Sequence, residues 1–171
     1  VHRIRLPNMP RLMISLFGAL RVSLDGAPIT DFATDKARAL LVYLAVEGHE
    51  PHRRDELAGL LWPEQPQRKA SHNLRQTLSY LRQAIGDDQS NSPFLHVDRL
   101  TIQFDADSDH WLDVAAFAEL AETSRRHRHR RPDACVPCIR RMAQMAELYQ
   151  GEFLAQFFLS DSTPFEEWAS L

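Results

Sequence analysis

Cysteine is scarce in this chain: two residues among 171, both in the tetrapeptide CVPC at 135–138. Two thiols so close in sequence make no disulfide framework, which fits a reducing compartment and an expected cytoplasmic location. Long apolar runs are also missing, so neither a signal peptide nor a membrane span is expected, and no membrane partner. The six glycines are scattered singly, which excludes a glycine-rich phosphate loop, and neither GxSxG nor HExxH occurs. The paired carboxylates, Asp55-Glu56, Asp87-Asp88 and Glu166-Glu167, are sequence neighbours and therefore point apart. No catalytic constellation remains, so no enzyme and no cofactor are expected. An overall basic charge is absent too, the net being −3. Residues 1–105 carry 13 Lys/Arg against 12 Asp/Glu, and residues 106–171 carry 7 against 11. Any case for nucleic acid must therefore be local.

The most informative absence is local. Between Glu64 and Asp87 there is no carboxylate, while Arg68, Lys69, Arg75 and Arg82 are present. Within residues 67–86, Ala70, Leu74, Leu78, Leu81 and Ile85 recur at steps of four, four, three and four. That spacing is one apolar stripe of a helix. The opposite face presents Lys69, His72, Gln76, Ser79 and Gln83, flanked by the arginines. A buried stripe backed by a basic, amide-bearing face suits a reader of the DNA major groove, where an acid would be repelled by phosphate.

The neighbours place that helix. Residues 1–11, with two prolines and no period, read as a loose leader. Residues 12–17 and 21–24 read as short strands with turns at Gly18 and Asp25-Gly26. Thr34 or Asp35 can cap a helix ending at Gly48, a suitable residue to follow a helix C-terminus. A second helix runs over 54–62 and stops at Pro63. After the basic helix, DDQSNSP reads as a solvated loop, and FLHV and LTIQF flank Asp98-Arg99 as a hairpin. Three helices and then a hairpin is the order of a winged helix-turn-helix, with the third helix in the groove and the hairpin as the wing. An acidic stretch, DADSDH at 105–110, is read as the domain boundary. Amphipathic helices at 112–123 and 136–149 follow, with a third opened by Ser162 or Thr163 and Pro164. The expected class is mainly α with small sheets.

The segments SLFGALRVSLDG, KARALLVYLAV, RRDELAGLLWPE, ASHNLRQTLSYLRQAIGD and LYQGEFLAQFFLSDSTPFEEW, in this order, resemble bacterial transcriptional activators of the SARP type. The resemblance spans about residues 12–171. It implies an OmpR-like winged-helix DNA-binding domain at 12–105, then TPR-like helices of a bacterial transcriptional activator domain (BTAD) at 106–171. The chain starts without Met and stops inside a helical pattern, so the BTAD is expected to be truncated. The implied partners are double-stranded promoter DNA, often bound at repeats by paired protomers, and RNA polymerase. Carried over by position, Arg68, Lys69, His72, Arg75, Gln76 and Ser79 face DNA, and Arg99 stands at the wing tip. Arg53 and Arg54 either clamp phosphates at the start of the second helix or cover Trp62 with their alkyl stems.

Two other readings stay open. The winged helix could dock a protein partner instead of DNA, making the chain an interaction or dimerisation module. CVPC lies near His127 and His129, which raises zinc held by Cys135, Cys138, His127 and His129. The spacing His-x-His-x5-Cys-x2-Cys matches no standard zinc module, so structural thiols are expected and no metal is assigned. The run RRHRHRRP, which departs from the family pattern, reads as a solvated connector.

Overall fold

The computed structural model describes residues 11–88, 92–128 and 135–171. Residues 1–10 of the expected leader and the middle of the basic connector lie outside that set. Strands β1 (Leu12–Ser15), β2 (Arg21–Leu24) and β3 (Ala27–Pro28) open the chain. From β1 into the residue after it the alternation is strict, with Leu12, Ile14 and Leu16 fully buried, as a strand buried on one face requires. Asp25 and Gly26 turn β2 back onto β3 with φ of 50° and 77°, a conformation that Gly and Asp tolerate best.

Helix α1 (Asp35–Val46) is capped by Thr34, whose hydroxyl accepts from the Ala37 N–H at 3.1 Å. The expected role of Gly48 changes here. Its φ is not positive, and it is wanted for space, because a Cβ would meet the Leu44 carbonyl at 3.2 Å and the Phe104 Cβ at 3.4 Å. A two-residue strand, β4 (His52–Arg53), leads into α2 (Arg54–Leu61) and then α3 (Gln67–Ala84). The anticipated stripe of α3 is the buried one: Ala70, Leu74, Leu78, Leu81 and Ile85 are all at most 5% exposed. It packs on α1 and α2. The wing strands are β5 (Leu95–Val97) and β6 (Thr101–Phe104), paired antiparallel with Val97 opposite Ile102. Strand β4 adds to the other edge of β6, giving the order β4-β6-β5.

Asp87, expected in a solvated loop, is buried instead. Its carboxylate accepts the Phe94 N–H and stands 3.5 Å from Arg82 Nε, fastening the end of α3 to the start of the wing.

Strand β7 (His110–Leu112) then runs parallel to β1 and completes a sheet of order β3-β2-β1-β7. Helices α4 (Asp113–Arg126) and α5 (Val136–Leu148) pack against each other, and α6 (Thr163–Ala169) returns to α2. The apolar side of the amphipathic α4 is only partly sequestered, with Ala115 exposed and Ala116, Phe117 and Leu120 half-buried. Ser162 caps α6 by accepting the Phe165 N–H, and its own hydroxyl donates to the Leu60 carbonyl of α2. Phe165 is fully buried beside it, and the Trp168 indole donates to Glu47 Oε1 at 2.9 Å. Ser162→Ala is expected to cost about 1–2 kcal/mol, read as a lower denaturant midpoint at unchanged slope. A winged helix-turn-helix and a helical unit thus share one core.

Candidate nucleic-acid interface

Helix α3 emerges from the core with one side free. Arg68, Lys69, His72, Arg75, Gln76 and Ser79 are all exposed. They alternate with the buried positions Ala70, Leu74, Thr77, Leu78 and Leu81 or directly precede the first of them, so the 3.6-residue repeat sends them outward together. Gln76 Nε2 donates to the Tyr80 hydroxyl one turn on, at 2.8 Å, which orients its amide.

Three elements converge beside this face. Arg54 and Asp55 of α2, Ser71, Leu74 and Arg75 of α3, and Arg99 of the wing line a cleft of about 490 Å³. Arg99 is exposed at the tip of the β5–β6 turn. Arg54 is half-buried, and its guanidinium donates to the Asp98 carbonyl at 2.8 Å while its backbone N–H donates to the Leu100 carbonyl at 2.9 Å. It therefore holds the wing turn against α2. Arg53 is exposed in β4, paired with Thr101, and its backbone N–H donates to Glu56 Oε2 at 3.3 Å. The cation over the Trp62 ring is Lys36, at 5.7 Å.

The wing turn is itself fixed by a carboxylate. Asp98 accepts the backbone N–H groups of Leu100 and Thr101, each at 2.7 Å, and the Thr101 hydroxyl at 2.9 Å. The bond from the Thr101 N–H, then that from Leu100, holds the Asp98 carboxyl below its usual range, with Arg54 adding a smaller pull. A lowered carboxylate pKa contributes stability above the unfolded value and loses it as pH falls through the folded one. The Asp98 contacts are therefore expected to contribute to the turn at neutral pH and to be lost as pH falls through the lowered carboxyl value.

Gln67, Ser71 and Asp55 belong to this surface without having been singled out from the sequence. Gln67 Nε2 donates to Asp55 Oδ1 at 3.0 Å, bridging the starts of α2 and α3. The helical stripe could have flagged Gln67 and Ser71. Nothing in the spacing marked Asp55, the acid within the cleft.

The cysteines lie elsewhere, at the start of α5 beside the end of α4. His127 Nδ1 is 3.2 Å from Cys138 Sγ and 3.6 Å from Cys135 Sγ. Burial pushes the Cys138 thiol above its ordinary range, Cys135 beside it adds to the shift, and Arg141 pulls the other way. His129, the fourth residue weighed for zinc, lies outside the described residues.

A carboxylate-free helix face beside a wing, on three helices and two small sheets, defines a winged-helix scaffold joined to a helical unit. The chain is similar in fold to EmbR of Mycobacterium tuberculosis, solved in complex with a low-affinity phosphopeptide, at a TM-score of 0.70 and 22% identity. The match covers 94% of this chain and 41% of that one, so this chain spans well under half of that protein's length. No family model matches the sequence, and no curated protein does. No helix among the described residues is long and apolar enough to cross a membrane.

Proposed function

We propose that the chain is the DNA-reading part of a bacterial, cytoplasmic transcription regulator of the SARP type. Residues 12–105 act as the OmpR-like DNA-binding domain and residues 106–171 belong to a BTAD. The observation that carries this reading is the exposed face of α3, which has six polar or basic side chains and no acid from residue 65 to 86. The likeness in fold to EmbR supports it. In this mechanism α3 enters the major groove. Arg68, Lys69 and Arg53 meet phosphates, Arg75, Gln76 and His72 lie nearer base edges, and Ser79 borders them. Arg99 on the wing reaches the flanking backbone, held in place through the Arg54 and Asp98 contacts. Protomers pair on promoter repeats, and the helical unit leaves a surface for RNA polymerase.

Selection of bound sequences from a random duplex pool, at two salt concentrations, tests this. A recovered motif, repeated at helical-turn spacing, is expected, with affinity falling steeply as salt rises. Recovery of no motif and no binding at low salt would transfer the surface to a protein partner. The Asp55 carboxylate in the cleft and the net charge of −3 favour that second reading. Salt-insensitive capture of a protein would be its signature.

A further inference from the structure

The end of α4 and the start of α5 gather ligand chemistry that the DNA-reading surface does not use. His127 is the residue at the C-terminal cap of α4, Cys135 the N-terminal cap of α5, and Cys138 the third residue of α5. The helices run as a packed pair, and their adjoining ends bring one imidazole and two thiol donors within 4.8 Å of one another. Cys138 is buried, while His127 and Cys135 are half-buried.

The distances suit one ion. With Zn–S near 2.3 Å and Zn–N near 2.05 Å, tetrahedral angles separate a sulfur from a nitrogen by about 3.5 Å. The two sulfur–nitrogen separations here are 3.2 and 3.6 Å. The donor set is also the one that selects zinc: two soft thiolates and an imidazole, with no carboxylate among them. The surroundings are basic, with Arg141 Nη1 3.8 Å from Cys138 Sγ and Arg125 and Arg126 ion-paired to Glu122. Two thiolates neutralise a dication, so the arginines are not opposed by the filled site.

We propose that His127, Cys135 and Cys138 form a zinc site that clips the end of α4 to the start of α5, with the fourth position open to water or an added donor. Each thiol gives its proton to solvent as the ion binds. The site differs from a free dithiol in that it needs His127, which a Cys135–Cys138 disulfide does not.

The test uses the full 171-residue chain. Purified without chelator, it is expected to retain close to one zinc per chain by elemental analysis. Reduced and stripped, it should bind cobalt(II) at one equivalent, with a thiolate-to-cobalt charge-transfer absorption and the visible bands of a tetrahedral ion. His127→Ala and Cys135→Ser should each weaken cobalt binding at least about tenfold, since even outer-shell changes cost that much. The unaltered protein answers first, so a variant that fails to fold leaves the result standing. Absence of the charge-transfer band in the reduced protein overturns the proposal. So does undiminished affinity in folded His127→Ala, or a Cys135–Cys138 disulfide in zinc-free protein isolated under thiol-blocking conditions. The last result would install a redox switch in its place.

Discussion

Asp113→Ala should lower the stability of the whole chain by about 3–5 kcal/mol, more than any other single truncation of a polar side chain considered for this fold. Asp113 is 3% exposed and stands at the first position of α4. Its two oxygens accept the Leu16 N–H at 2.9 and 2.8 Å, the Phe17 N–H at 2.9 Å and the Val114 N–H at 2.8 Å. One carboxylate thereby satisfies three backbone donors, two of them where β1 ends, nearly a hundred residues upstream. It also places negative charge at a helix N-terminus, where the helix dipole favours it. Alanine removes all of this and leaves buried donors without an acceptor, each costing about 1–3 kcal/mol. For a chain of this size the loss corresponds to roughly 10 °C in melting temperature. Asp113→Asn should recover little, because its NH₂ group confronts N–H donors on one side of the site. Equilibrium denaturation of the three proteins measures the series. A loss below about 1 kcal/mol in the alanine variant would mean that water replaces the carboxylate and that β1 and α4 are not coupled through it.

Some of this architecture was legible in the residues and some was not, for physical reasons. The stripe of α3, the Thr34 and Ser162 caps and the hairpin around Asp98-Arg99 are local patterns. A helix repeat, a hydroxyl before a helix and alternation about a turn depend on near neighbours, and each formed as read. What escaped was non-local. Strand β7 is three residues long and has meaning only beside β1. Strand β4 is shorter still, and its partner is β6. Asp87 sits in a run that reads as solvent-loving, and only the return of the chain at Phe94 gives its carboxylate a buried donor. The same holds for the thiols. The sequence interval from His127 to Cys135 fits no standard zinc spacing, whereas the antiparallel course of α4 and α5 brings the donors face to face. The outward side chains of α3 were legible, but the cleft they border was not, because Arg54 and Arg99 come from other elements.

The double variant Arg75→Ala, Gln76→Ala is expected to lower affinity for the selected operator by roughly 30- to 1,000-fold, at about 1–3 kcal/mol for each good base contact and with incomplete additivity between neighbours. Its melting should hardly move, since both side chains are exposed and the loss touches only the Gln76 bond to Tyr80 within the helix. The phosphate arm behaves differently. Arg68→Ala or Lys69→Ala should weaken specific and non-specific duplexes alike and reduce the slope of log affinity against log salt by about one each. The two classes of variant therefore separate base reading from backbone attraction in a single set of titrations. If Arg75 and Gln76 were instead solvated surface, operator and random duplex would lose affinity together or not at all. If they were packed against the core, melting would fall while binding per folded molecule held. Only a loss confined to the operator, at constant stability, places α3 in the groove with this face turned toward the bases. In that arrangement the wing adds reach along the flanking backbone, because Arg99 projects from a turn fixed by Asp98 and Arg54.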